Sequence, residues 1–454
     1  ILSGLNVAFG GELRVENYSI EAGQEESWTA GTVGVITATE DNQALIGPDG
    51  FPLEDLNGSP IVDDSGAAVV LPYAGVSQEL VKNYALNCQC FRGFAPENES
   101  NSFRSVMAAY VDLELDVSDK FLISGALRLE NYSDFGNVIT SKVAGRYSIS
   151  DNFAIRGSYS SGFRAPSLQE LNYSHSYTFF VNLVPFDGTL YQNSSSAASA
   201  LGIGQLQEER SRNFSLGFTT KIGKLDFTLD AYKIDIFDRI FETGEFNAGT
   251  TPALAPIIGS GLASFRINGG DISTKGIEAV ANYNTNLGAG QLGVVLSGTF
   301  RENKFENINL PDLNTNLTDE ELADNYVNRG LIGQFETGTP SSKLIGTVNY
   351  SIGKFSTMLR GTRYGSVQTR DSRSRTLLDG STGYADQYFT PEFTVDLGVT
   401  YKVSDNLSLT VGGNNVFNEY PEIIRYELRT FNLYSNYQQG SSGSYYFGRL
   451  TFTL

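Results

Sequence analysis

Phe393-Thr-Val-Asp-Leu-Gly-Val-Thr-Tyr-Lys-Val403 alternates without a break, with Phe393, Val395, Leu397, Val399, Tyr401 and Val403 set against Thr394, Asp396, Gly398, Thr400 and Lys402. Successive strand side chains point to opposite faces, so this run makes one oily face and one polar face. Ser404-Asp-Asn406 interrupts it, and the period resumes with Leu407, Leu409 and Val411 against Ser408, Thr410 and Gly412. The same pattern recurs upstream. Val111, Leu113, Leu115 and Val117 oppose Tyr110, Asp112, Glu114 and Asp116, and Leu225, Phe227 and Leu229 oppose Asp226, Thr228 and Asp230. Leu344, Val348, Tyr350 and Ile352 likewise oppose Thr347, Asn349 and Ser351. Alternation of this kind fits either a soluble sandwich or the wall of a membrane barrel.

The connections separate the two. From Leu5 onward about fourteen strands can be counted, and their links alternate between very short and long. Short ones are Ser118-Asp-Lys120, Ser150-Asp-Asn152, Gly223-Lys224, Leu287–Gly290, Gly353-Lys354 and Ser404-Asp-Asn406. Long ones span roughly 21–101, 165–207, 241–262, 308–340, 366–390 and 418–443, with one modest link near 133–140. A sandwich has no reason to sort its loops by side, whereas outer-membrane barrels pair tight periplasmic turns with long extracellular loops. The expected fold is therefore an all-β transmembrane antiparallel barrel. The last strand, Ser444–Leu454, is expected to end in the periplasm. Aromatics near strand ends (Phe121, Phe153, Phe355, Tyr401, Phe417, Tyr445, Tyr446 and Phe452) suit interfacial girdles. In the 308–340 link, Thr318-Asp-Glu-Glu321 reads as a capping box that starts a short helix, with Gly330 as its stop.

Composition agrees. The 454 residues include 24 Tyr, 29 Phe and 48 Gly, yet hydrophobic residues reach only 40 %, which suits a wall that is oily on one side and wet on the other. No segment approaches the ~20 consecutive apolar residues of a membrane helix. A net charge of −19 argues against nucleic acid, whose phosphates need clustered Lys and Arg. Catalysis has little support, because His175 is the single histidine and no nucleophile elbow or zinc-protease motif occurs. Asp312-Leu-Asn-Thr-Asn316 opens like a calcium loop, but Leu317 and Ala323 stand where that loop needs Gly and Glu. No metal or cofactor is expected. Cys88 and Cys90 form a C-x-C pair that is either a metal half-site or, with no second pair to complete one, a loop disulfide.

Five segments then carry a resemblance. Gly162-Phe163-Arg164-Ala165-Pro166-Ser167, directly after a strand, resembles the FRAPS segment of TonB-dependent receptors, and Arg128-Leu-Glu-Asn-Tyr-Ser-Asp-Phe-Gly136 resembles their strand ending in YSDFG. Ser273-Thr-Lys-Gly-Ile-Glu278 and Asn414-Asn-Val-Phe-Asn-Glu-Tyr-Pro421 are similar to two further segments of that family, in the family's order. Phe447–Leu454 resembles the final strand read by the barrel-assembly machinery, although it ends in Leu rather than Phe.

The resemblance implies a 22-stranded barrel with a plugged lumen. This chain would supply its C-terminal part, without plug, TonB-contacting segment or first strands. Nothing before Leu5 resembles a plug or a secretion signal, so a fragment of a longer protein is expected. The implied activity is import of a scarce bulky nutrient (siderophore, vitamin, oligosaccharide or peptide) across the outer membrane of a Gram-negative bacterium, energised through TonB. Implied partners are TonB, outer-membrane lipid and lipopolysaccharide, the nutrient or metal chelate itself and, as a further candidate, a surface lipoprotein. A passive channel or lipid-uptake barrel closed by about fourteen strands, and a non-transporting adhesin, are the alternatives.

Two groups of site residues follow. Arg128, Arg156, Arg301, Arg360 and Arg449, with Asp112, Glu114, Asp116, Asp226, Asp230 and Asp396, are expected to face the lumen, either to hold a plug or as ordinary residents of a hydrated interior. Arg164 is expected to brace loop or plug packing. Ligand capture is placed on loop aromatics: Tyr173, Tyr177, Phe179, Phe180, Phe186 and Tyr191 in one loop, and Tyr426, Phe431, Tyr434 and Tyr437 among Asn432, Asn436, Gln438 and Gln439 in another. Aromatic faces beside amides suit sugars, peptides and organic chelates, and equally suit packing of the loops on themselves.

Overall fold

A computed structural model describes residues 4–28, 93–181, 184–259, 261–372, 374–428, 434–435 and 438–453. Fourteen long strands form its wall: β1 Leu5–Ile20, β2 Ser100–Ser118, β3 Phe121–Tyr132, β4 Gly136–Ser150, β5 Phe153–Arg164, β6 Glu209–Ile222 and β7 Leu225–Glu242, then β8 Leu262–Leu287, β9 Gly290–Ile308, β10 Ser342–Ile352, β11 Phe355–Tyr364, β12 Glu392–Lys402, β13 Leu407–Asn414 and β14 Tyr445–Phe452. Each pairs antiparallel with its chain neighbour throughout. In such a meander successive links fall on opposite edges. All the long links therefore leave one edge, joined there by the tight turn Ser133–Phe135, which is shorter than the modest link expected near 133–140.

The short edge is built from turn chemistry. Gly223, Gly288 and Gly353 open two-residue turns at φ 61°, 58° and 56°, a left-handed conformation that a side chain would strain. Along the strands one parity stays oily from edge to edge. The row Val348, Leu359 and Leu397, and then Val411 opposite Val399, shows it, as does Leu13 opposite Met107. These side chains are exposed, Phe9 to 80 % and Leu13 to 79 %, a surface that water would not tolerate at this extent but hydrocarbon accepts. Aromatic pairs Phe121–Tyr147, Phe153–Phe218 and Phe355–Tyr401 line the short-turn edge. Among the described residues β1 pairs only with β2, and β14 only with β13.

The polar parity makes the other face. Arg156 reaches Asp230 with a bidentate pair at 2.9 and 2.5 Å, across the intervening β6. Gly217 sits between them, and a Cβ there would lie 2.0 Å from the Asp230 carboxylate, so the pair exists because that position is glycine. Arg128 donates to Glu12 and Glu130, Arg360 stands opposite Asp396 and donates to Thr347, and Arg449 lies over Phe447.

β8 has 26 residues where ~9–11 suffice to cross a membrane, and its environment changes along its length. Residues 263–273 are largely buried, whereas 275–287 alternate as wall does. Register shifts at Asn268/Gly270 and Gly270/Ile272 mark the change. Above them the strand enters a separate apolar core, made by Ala197, Leu201, Phe246, Leu254, Phe265, Leu313, Leu322, Tyr326 and Val327 from three different long links. The loops are a folded cap.

Candidate functional site: the loop-covered mouth

The rim where wall becomes cap is organised by Arg104 of β2, whose side chain is only 2 % exposed. Its guanidinium donates to Asp134 at 2.8 and 2.6 Å and to the Pro166 carbonyl at 2.7 Å, lies 3.7 Å from Glu16, and covers the rings of Tyr132 and Phe135. Phe163 meets Tyr132 edge-on. Two motifs thirty residues apart thus meet around one buried cation that neither contains. Sequence reasoning missed Arg104, since nothing local distinguishes it from other strand arginines.

Arg164 donates to Glu170 at 2.9 Å and to Glu209 at 2.5 Å, and Glu209 also takes Arg239 at 3.4 Å and the Ile240 N–H. Ser167 and Glu170 cap the helix Leu168–Asn172 reciprocally. Burial alone would raise the Glu170 carboxyl, but Arg164 and the Ser167 N–H hold it below its ordinary value. Ala165 and Pro166 complete the turn between strand and helix.

Two further links are clasped by charge. Arg329 donates to Asp386 and lies over Tyr384, Arg375 grips the buried Asp371 at 2.7 Å through both arms, and Arg425 takes Glu427 at 3.0 Å. Arg425 holds the Glu427 carboxyl down to about 2, and Arg329 keeps Asp386 below its usual range. Asn328 caps a second helix, Arg329–Glu336, so Gly330 lies inside that helix and the first ends at Tyr326. The expected stop at Gly330 is corrected by this cap. Leu313 of the calcium-like stretch is buried in the cap core, and Asn314 donates to the Ala200 carbonyl.

The loop aromatics divide. Tyr191 stacks on Phe265 at the core, Tyr173 packs against Phe94 and under Arg266, and Tyr434 stacks on Tyr420. Tyr177 donates to Glu245 at 3.2 Å, and burial beside that carboxylate raises its phenol. Tyr426 is 68 % exposed. Phe179 and Phe180 lie in a hairpin, His175–Val181 with Val184–Tyr191. The side chains of Phe179, Phe180 and Phe186, and residues Phe431, Asn432, Asn436, Tyr437, Cys88 and Cys90, lie outside the described residues.

An antiparallel sheet oily on one face and charged on the other, with its long links folded on one edge, defines an outer-membrane barrel wall. The sequence matches the family "TonB dependent receptor-like, beta-barrel" over residues 15–416, and the chain belongs to that family, one of Gram-negative outer membranes. Comparison with curated proteins finds no match. Among solved structures, a mutant of the ferric enterobactin receptor PfeA from Pseudomonas aeruginosa superposes with a TM-score of 0.57 at 14 % identity, over 99 % of this chain and 51 % of that one. The siderophore receptor PirA from Acinetobacter baumannii gives 0.54 at 17 % identity, over 78 % of this chain and 46 % of that one. The FrpB iron transporter from Neisseria meningitidis gives 0.54 at 13 %, over 99 % and 53 %. At such identities the likeness shows the fold. The chain spans about half the length of these relatives.

Proposed function

We propose that the chain is the greater part of the barrel of an outer-membrane receptor that imports a bulky nutrient with energy delivered through TonB. The observation that carries this reading is the pair of unmatched edges. Leu5–Ile20 and Tyr445–Phe452 do not pair with each other among the described residues, so further strands are needed to satisfy their backbone groups in lipid. The same edges disfavour a passive fourteen-strand channel. The cap faces the outside, the tight turns and C-terminus face the periplasm, and the lumen arginines Arg128, Arg156, Arg301, Arg360 and Arg449 lie toward a plug.

Ferric siderophores are the first class to try, because the structural neighbours carry siderophore and iron names. Loop residues Tyr177, whose hydroxyl meets Glu245, and the exposed Tyr426 are the aromatic contacts to test first. Uptake of a panel of ferric siderophores, vitamins and oligosaccharides is measured in strains with and without the full-length protein, each with and without TonB. Uptake of one class is expected to need both. Uptake that persists without TonB would move the protein to the passive channels.

A further inference from the structure

The carboxylates of the charge clasp each have an arginine: Asp386 has Arg329, Asp371 has Arg375, Glu427 has Arg425 and Glu336 has Arg370. A few residues away, where the 365–391 and 415–444 links meet the top of β11 and β12, the pattern fails. Glu392 and Glu422 are in contact through the Glu422 N–H, which donates to Glu392 at 3.3 Å, and neither has a Lys or Arg ion pair among the described residues.

Three polar side chains close over them. Ser435 is 0 %, Gln438 7 % and Gln439 9 % exposed. The Gln438 amide spends both N–H groups on protein, donating at 2.7 Å to the Gly365 and Thr390 carbonyls. Gln439 donates directly to Glu392. Thr390 donates through its N–H and its hydroxyl, at 2.8 and 2.5 Å, to Glu422, whose carbonyl accepts the Ser435 N–H at 3.1 Å. The Gln438 N–H groups are used, while oxygens of all three side chains are left over. Gln438 Oε1, Gln439 Oε1 and Ser435 Oγ have no partner among the described residues. A buried carbonyl oxygen without a partner costs roughly 1–3 kcal/mol, and two carboxylates without a cation beside it add to that cost.

Surplus oxygens of this kind, two carboxylates, two carboxamides and a hydroxyl in one contact group, are the chemistry of a hard cation. We propose that Glu392, Glu422, Ser435, Gln438 and Gln439 hold Ca²⁺ at the inner rim of the mouth, binding the two links to the wall. Ca²⁺ accepts irregular sets of six to eight oxygens, neutral and charged together, with water completing the shell. Mg²⁺ demands near-ideal octahedral geometry and keeps several waters, so it fits this crowded joint less well. The site is separate from the calcium-like stretch 312–316, whose Leu313 is packed inside the cap.

Tb³⁺ stands in for Ca²⁺ in the test, because Tyr364 pairs with Glu392 across the strands and is placed to sensitise its emission. The full-length protein in detergent is titrated with Tb³⁺ under tyrosine excitation and then competed with Ca²⁺ or Mg²⁺. Saturable emission displaced by Ca²⁺ at far lower concentration than by Mg²⁺ is expected. Glu392→Gln should weaken binding at least tenfold, while Glu302→Gln on the outward face leaves it unchanged. Gln439→Glu adds a third carboxylate and should tighten binding. It carries the test should Glu392→Gln fail to fold. Absence of saturable emission, native binding in both Glu392→Gln and Glu422→Gln, or unchanged binding in Gln439→Glu would each overturn the proposal.

Discussion

Leu397→Arg tests the facing of the wall. Strand β12 has 11 residues, Glu392–Lys402, and Leu397 is the sixth. At ~3.4 Å per residue and a tilt near 40°, the strand rises roughly 29 Å, slightly more than an apolar band about 25 Å tall. Its central residue therefore sits within a few ångströms of the bilayer midplane. Leu397 is exposed and lies opposite Leu359 on the oily parity. Arginine there should cost ~2–4 kcal/mol, or roughly 30- to 1,000-fold in the folding equilibrium.

Gly398 is the matched control, one residue along and facing the other way. A Cβ there would touch only the Met358 methyl at 3.8 Å, and Asp396 two residues away on the same face offers a counter-charge. Gly398→Arg should cost no more than ~1 kcal/mol. The assay is urea-dependent folding of the full-length protein into lipid vesicles, read by the mobility shift of the unheated barrel. Equal losses at the two positions, or a larger loss at Gly398, would refute the assignment of faces.

Three further predictions follow from the rim and cap. Arg104→Gln leaves Asp134 without its cation, while Glu16 keeps Arg14 at 2.8 Å, and should lose ~2–3 kcal/mol, with Arg104→Lys recovering part; thermal unfolding that differs by less than ~1 kcal/mol would remove Arg104 from its place at the rim. The carboxyls of Glu427 (about 2) and Asp386 are depressed in the folded cap, so the stability they add is present above the unfolded carboxylate range and lost as pH falls from ~4 toward 2. Hydrogen exchange of residues 365–391 should accelerate over that interval, and loosening on raising the pH would contradict the sign. In a background with Cys88 and Cys90 replaced by serine, cysteines placed in links 165–207, 308–340 and 418–443 should label on intact cells with an impermeant reagent. Asp119→Cys, Asp151→Cys and Asp405→Cys should label only after the outer membrane is opened, and labelling of Asp405→Cys on intact cells would invert the topology.

The strand count, the oily and polar faces and the sorting of links by length were legible in the sequence because they are local. A period of two needs no knowledge of the partner strand, and a turn such as Gly353-Lys354 declares itself through one left-handed glycine. The helix cap at Thr318 was legible for the same reason, whereas its end was not, since Asn328 starts a new helix rather than Gly330 stopping the old one. Which charges meet is a matter of register and distance. Arg156 finds Asp230 across a strand only because Gly217 leaves the gap, and Arg104 joins residues 16, 134 and 166 only once three strands and a link converge. The sequence likewise offered the aromatics of two long links as contacts either for a ligand or for one another. Only the tertiary structure shows that Tyr191, Tyr173 and Tyr434 pack on loop partners, because those contacts join residues far apart in the chain once long links fold over one another.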